Sequence, residues 1–257
     1  MRTLTRQILP ALLAVVGLVL AWGLLVRLTD APAYLIPSPM SVWAAGWGDR
    51  ELLSSHLAAT LRIALLGFAL GALGGVAIGI LLGLSATLRR AAEPLLIASQ
   101  AIPPVVLAPI LISAMGFGAL PKVLVVALGA FFPIAISASA AMRDADRYLV
   151  DLLQSMGASP LTVLRRVRLP GAVPAIVAGA KVAASYVVFS AIIAEWMGSS
   201  VGLGVYLQRS QASYRMDQLF AAVGVIAVLG VLLFWLASLI GDTVLSRFRS
   251  TLNRKGV

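Results

Sequence analysis

The chain has 257 residues, 60% hydrophobic and 12% charged, with a mean hydropathy of +0.99, which excludes an ordinary soluble domain and places it in a bilayer. Its 20 Lys and Arg against 10 Asp and Glu give a net charge of +10, yet these cations sit between apolar runs and build no basic face for nucleic acid. With no cysteine and a single histidine, His56, thiol chemistry, disulfides, iron–sulfur ligation and histidine metal clusters are excluded as well.

A hydrocarbon core of about 30 Å takes roughly 20 apolar residues per spanning helix. Six such segments can be read, near 8–28, 57–84, 95–114, 121–141, 173–195 and 219–245. They predict an all-α membrane protein with six transmembrane helices in one domain, 1–257. The first segment follows Arg2 and Arg6 and precedes Ala31-Pro32-Ala33, the layout of a signal peptide. Its apolar stretch is too long for the usual signal core and reads as an uncleaved anchor.

The second segment carries Gly67, Gly71, Gly75, Gly79 and Gly83 at every fourth position. This is the pattern of a packing seam, or alternatively of a pore lining. A four-residue step overshoots a helical turn by about 40°, so the line is expected to wind and serve two neighbours. In the third segment Gln100 precedes Pro103, Pro104 and Pro109. Prolines remove backbone donors, so this helix is expected to bend, lining a pathway or held in a static kink.

Between the fourth and fifth segments lies a loop, 142–171, with its own helical signals. Leu149, Leu152, Leu153 and Met156 make one apolar stripe, Asp144 or Asp146 supplies an N-cap, and Gly157 a stop. Ser159-Pro160 opens a second short helix, expected to run to about Val167 and to end at Leu169-Pro170. Two short helices at a glycine corner suit docking to a soluble partner.

The fifth segment buries a cation, Lys181, about 13 Å from its near end at 1.5 Å per residue. It either faces a substrate pathway, snorkels, or pairs with carbonyls. Tyr186 and Phe189 offer aromatic surface to a flat solute, or pack. Glu195 and Trp196 close the segment, contacting a docked protein or sitting at the headgroup level. Arg89, Arg90, Arg143, Arg147, Arg165, Arg166, Arg168 and the terminal cations share one side, which the positive-inside rule makes cytoplasmic, with both termini.

The run Asp151-Leu152-Leu153, Gly157, Val167, Leu169-Pro170 resembles the E-A-A-x3-G-x9-I-x-L-P loop of binding-protein-dependent ABC importer permeases, with Asp for Glu and leucines for the alanines. Pro37-Ser38-Pro39, Gln100-Ala101-Ile102-Pro103, Ala194-Glu195-Trp196 and Gly202-Leu203-Gly204 resemble the nitrate, sulfonate and taurine branch. The run 194–204 with Phe220-Ala221-Ala222 is most similar to permeases for the hydroxymethylpyrimidine precursor of thiamine and related heterocycles. The resemblance implies the type I importer permease fold in a bacterial inner membrane, working as a homodimer with a cytoplasmic ABC ATPase dimer and an extracytoplasmic solute-binding protein. By the same resemblance Asp151, Leu152, Leu153, Gly157, Ala158, Leu169 and Pro170 couple to the ATPase, which alone binds ATP and Mg. Gln100, Pro103, Lys181, Tyr186 and Phe189 are candidates for the substrate pathway, and Glu195 and Trp196 for the binding-protein contact. No phosphate-binding loop is present: the lysines Lys122, Lys181 and Lys255 follow Pro121, Ala180 and Arg254. A channel, a secondary transporter and a membrane enzyme are the competing classes. The first two leave the 142–171 loop unexplained, and the last lacks its cluster of reactive side chains.

Overall fold

The computed structural model describes residues 2–30, 32–100 and 102–254, without the side chains of 2–8, 11, 12, 100, 104, 105 and 247–254. The helices are α1 (Arg2–Thr29), α2 (Pro39–Gly48), α3 (Arg50–Leu84), α4 (Ala86–Gln100), α5 (Pro104–Met115), α6 (Ala119–Arg143), α7 (Arg147–Ser155), α8 (Pro160–Val163), α9 (Leu169–Trp196), α10 (Leu203–Ala212) and α11 (Met216–Arg254). A π-helical turn, Leu164–Arg168, joins α8 to α9. Among the described residues four helices are long and apolar enough to span: Arg50–Leu84, Ala119–Arg143, Pro160–Trp196 and Met216–Ser246. Leu13–Thr29 and Val106–Met115 are shorter apolar helices where the first and third of the six segments were expected.

The third segment is broken rather than bent. Pro103 and Pro104 each lack a backbone donor, and a residue preceding proline is pushed out of the α region. Pro103 accordingly sits extended, at φ −58° and ψ 133°, and caps α5 instead of continuing α4. The side chain of Gln100 lies outside the described residues.

The core is built around α6, which lies between α3 and α9. A Cβ on Gly67, Gly71, Gly75, Gly79 or Gly83 would fall inside contact distance of α6, meeting in turn Val126, the Ala127 and Phe131 carbonyls, Ala138 and Met142. All five therefore serve one neighbour, not two. A four-residue repeat exceeds the 3.6-residue turn, so one partner follows the whole line only by winding around α3 in the right-handed sense. On the opposite face of α6, Gly179 of α9 lies against the Pro133 carbonyl and Ser137. Ile63 and Ala64 of α3, Val126, Ala130 and Ile134 of α6, and Ala183, Val187 and Ala191 of α9 fill the space between.

α11 packs on α9 and carries α10 and α2 at the end of the bundle opposite α7. There Ser38 caps α2 by accepting from the Ser41 N–H at 3.1 Å, with Pro39 at the first helical position, which accounts for the Pro37-Ser38-Pro39 run. Asp49, between α2 and α3, accepts from the Tyr206 hydroxyl at 2.8 Å and the Gln218 amide at 2.5 Å, fastening α10 and α11 to that corner. Burial and the Asp49 carboxylate push the Tyr206 phenol above its ordinary range, so it stays a donor.

Gly71→Leu is expected to destabilise the protein by about 1–3 kcal/mol or to prevent folding, since α6 cannot yield along a 25-residue helix. Gly17→Leu, with open space around it, leaves thermal unfolding in detergent unchanged. Equal melting temperatures for both variants would dismiss the seam.

Candidate functional site

Two sites stand at opposite ends of the bundle. At the first, Asp146 caps α7 by accepting from the Tyr148 and Leu149 N–H groups at 2.9 and 3.4 Å. Gly157, at φ +77°, ends it. The Ala158 N–H donates to the Leu153 carbonyl and the Gly157 N–H to the Gln154 carbonyl, both at 2.9 Å, the paired bonds of a Schellman stop. Ser159 then accepts from the Thr162 N–H at 3.3 Å and Pro160 starts α8. The expected caps and corner are thus in place.

The expected stop at Leu169-Pro170 is not. The helix continues through Pro170 into α9, because the Leu169 N–H reaches back five residues to the Leu164 carbonyl. The wider turn moves aside the carbonyl that a proline ring otherwise strikes one α-turn back. Pro160–Trp196 is consequently one rod of 37 residues, about 55 Å long at 1.5 Å per residue.

Only part of the apolar stripe on α7 packs inward. Val150 and Val163 are buried and Leu153 is half-buried, whereas Leu149, Leu152, Met156 and Leu161 are exposed. Asp151 points into a polar cavity of about 390 Å³, shared with Arg89, Arg143, Arg147 and Arg168. This end of the bundle is a cationic recess beside an apolar knob.

At the other end, Glu195 does not face outward. Its side chain is 1% exposed, so it is not placed to contact a docked protein or the headgroup level. One carboxylate oxygen accepts from the Thr60 hydroxyl at 2.7 Å, the other from the Gly204 N–H at 2.8 Å. Thr60 in turn accepts from the Leu203 N–H at 2.8 Å. Nδ1 of His56 lies 2.9 Å from the Gly202 nitrogen and 2.6 Å from its carbonyl oxygen, and serves one of them according to its tautomer. Lys122, 6% exposed on α6, donates to the Phe117 carbonyl at 3.4 Å.

Two glycines make this possible. A Cβ on Gly202, whose φ is +141°, would collide with the Glu195 carboxylate, and one on Gly204 would lie 2.6 Å from the Ile192 carbonyl. Trp196 is 42% exposed and donates its indole N–H to the Gly204 carbonyl at 2.9 Å. Glu195 and Trp196 thereby hold both sides of one residue, and the Ala194-Glu195-Trp196 and Gly202-Leu203-Gly204 motifs form a single latch.

The remaining pathway candidates are dispersed. Pro103 is exposed at the α4–α5 break. Lys181 pairs with Asp242 of α11 at 3.0 Å, a partner not expected from the sequence. Tyr186 and Phe189, 58% and 63% exposed, lie on an outward stripe of α9 with Val182.

Residues 75–251 match the family described as the binding-protein-dependent transport system inner membrane component. The chain belongs to this family. It is 33% identical to a probable ABC transporter permease of Haemophilus influenzae, over 89% of this chain and 94% of that one. It is also 32% identical to the formylaminopyrimidine transport permease of Halalkalibacterium halodurans, over 89% and 91%. With the riboflavin transport system permease of Chloroflexus aurantiacus it shares 34%, over 93% and 91%. Its fold is similar to that of an inward-facing methionine ABC transporter, with a TM-score of 0.65 at 23% identity over 78% of this chain and 98% of the other. The permease is therefore a membrane subunit of an ABC importer with a helical type I fold. ATP hydrolysis belongs to a separate subunit, and the family works with that ATPase and a solute-binding protein.

Glu195→Met and Thr60→Val should each lower stability by about 1–3 kcal/mol, because each strands a buried N–H or hydroxyl of the latch. The double variant should lose clearly less than the sum. Full additivity in thermal unfolding would mean that the two side chains do not act as one network.

Proposed function

We propose that the permease forms a homodimer that carries a small neutral or weakly charged heterocycle inward. Its α7–α8 knob seats in a cytoplasmic ATPase that binds ATP and Mg. The observation that carries the coupling reading is the knob itself: a tightly capped corner that leaves Leu152 and Met156 45% and 75% exposed. Continuity of α8 with α9 supplies the route by which ATPase closure reaches the bundle. The arginines collected beside the knob support placing this end, and both termini, in the cytoplasm.

Two observations support the substrate class. Lys181 is paired with Asp242, and farther along α9 Tyr186 and Phe189 present exposed aromatic rings. Relatives named for formylaminopyrimidine and riboflavin transport are 32% and 34% identical, against 29% for a taurine permease of Escherichia coli and 30% for a putative aliphatic sulfonate permease of Bacillus subtilis. A sulfonate, taurine or nitrate reading draws instead on Arg62 and Lys122, which line a cavity of about 300 Å³ near the latch. Lys122 is nearly enclosed and donates to the Phe117 carbonyl, so an anion in this cavity meets less of it than of the exposed Arg62.

Gly157→Val forces a β-branched residue to positive φ, at a cost of roughly 1–2 kcal/mol, with no clash to add. It should reduce ATPase co-purification and transport several-fold while membrane insertion is kept, as should Leu153→Glu. Gly157→Asn, which tolerates that backbone, should retain both activities. Wild-type transport in the Val and Glu variants sinks the coupling role. In the cysteine-free chain, Ala158→Cys should be shielded in intact cells from an impermeant thiol reagent that labels Ala45→Cys, and the reverse pattern overturns the orientation.

Substrate class is tested by calorimetry on the cognate solute-binding protein with pyrimidine precursors, riboflavin, taurine and nitrate. Binding of a heterocycle is expected. Tight binding of taurine or nitrate alone rejects the heterocycle and leaves the importer assignment standing.

A further inference from the structure

At the α2 end of the bundle, α1, α2, α3 and α11 enclose a lateral groove of about 550 Å³ that neither coupling nor the latch uses. Its walls are apolar throughout, with Trp22, Trp43, Trp47, Leu57 and Phe220 prominent and no ionisable side chain among the lining residues. On α11 it runs from Phe220 past Gly224 and Val228 to Leu232, 12 residues, or roughly 18 Å of helix. The groove is therefore long and apolar, suited to a hydrocarbon chain.

A cation marks one end of it. Trp22 lines the wall, but its indole N–H is enclosed by the protein and does not open into the groove. At the rim, the Arg50 guanidinium sits over the Trp47 ring, 5.6 Å from its centroid, and donates to the Trp47 carbonyl at 3.1 Å. Its other neighbour is the exposed Glu51 at 4.0 Å, a contact too weak to satisfy it. Trp43 and Trp47 stack at 6.3 Å on α2, the placement of aromatic side chains at a headgroup boundary.

An apolar slot with a cation at its mouth and stacked indoles beside it is arranged as a phospholipid is: acyl chain, then phosphate. A polar solute finds no ionisable group inside. We propose that this groove is a binding site for one glycerophospholipid of the leaflet on the α2 side. Its acyl chain lies along α11 and its phosphate is held by Arg50. Lipid there ties α1, otherwise attached mainly through α2 and the Trp22–Phe220 ring contact at 5.6 Å, to the body of the bundle.

Gly224 gives the test, because a Cβ there meets open space and a larger side chain fills the slot. Gly230, on the same helix, is equally open but does not line the groove. The full chain is purified from nanodiscs of phosphatidylethanolamine and phosphatidylglycerol, and retained phospholipid is counted by native mass spectrometry. One tightly held phospholipid per chain is expected. Occupancy should fall at least five-fold in Gly224→Leu, less in Arg50→Gln, and not at all in Gly230→Leu. Unchanged occupancy in Gly224→Leu, or an equal loss in Gly230→Leu, overturns the site. Should Gly224→Leu fail to fold, the wild-type protein decides the matter with a phosphatidylcholine bearing a photoreactive acyl chain. Cross-links on α11 between residues 220 and 232 support the site. Cross-links spread evenly over α11, or a second permease or solute-binding protein trapped there instead, reject it.

Discussion

In lipid, apolar burial gives two helices little reason to associate, so the bundle rests on the backbone contact between α3 and α6 that five glycines permit. Dispersion between close backbones and small side chains is short-ranged, and a single added Cβ separates the pair along much of its length. Everything else is positioned from α6. Its opposite face receives Gly179 and the alanines of α9, and α9 then carries α11, Lys181 and the latch. The glycines thus set the distance from α3 to α9, and with it the reach of Thr60 to Glu195.

That reach explains how a carboxylate is tolerated beneath the surface. Glu195 accepts two hydrogen bonds, and neither oxygen is left without a donor. The donors come from α3 and from the turn into α10, so the satisfied charge is also a clamp on the loop 197–202. Small residues at 202 and 204 are a consequence, since the carboxylate occupies the volume a side chain would take. The Asp49 contacts to Tyr206 and Gln218 repeat the arrangement at the neighbouring corner.

What the sequence made legible was local. The caps at Asp146 and Ser159, the stop at Gly157 and the glycine seam depend on residues within one or two turns of each other. Of the six segments, four coincide among the described residues with helices long and apolar enough to span and the first and third with shorter ones, and the interruption at Pro103 lay outside the reading, since two successive prolines end the helix rather than curve it. The latch was hidden because His56 and Thr60 are 146 and 143 residues from the peptides they bind, and a lone polar residue in an apolar run does not name its partner. Glu195 was accordingly placed at the surface. A glutamate followed at seven and nine positions by glycines was the available signal. Lys181 and Asp242, 61 residues apart, were obscured in the same way. Pro170 misled for a different reason: its rule presumes a four-residue hydrogen-bond ladder, and here the ladder is five.

The π-helical turn absorbs one residue without shifting the faces of the helix beyond it. Four residues of an α-helix rotate the chain by about 400°, and a turn closed over five residues spreads nearly the same rotation over one more. Deleting one residue there would restore a regular ladder and leave Gly179 on α6, Lys181 beside Asp242, and Glu195 in the latch some 40 Å away, at 1.5 Å per residue. What it would change is local: the ladder carbonyl would return against the ring of Pro170. The turn therefore works as an expansion joint, which lets a proline pass while the rod on either side keeps its alignment.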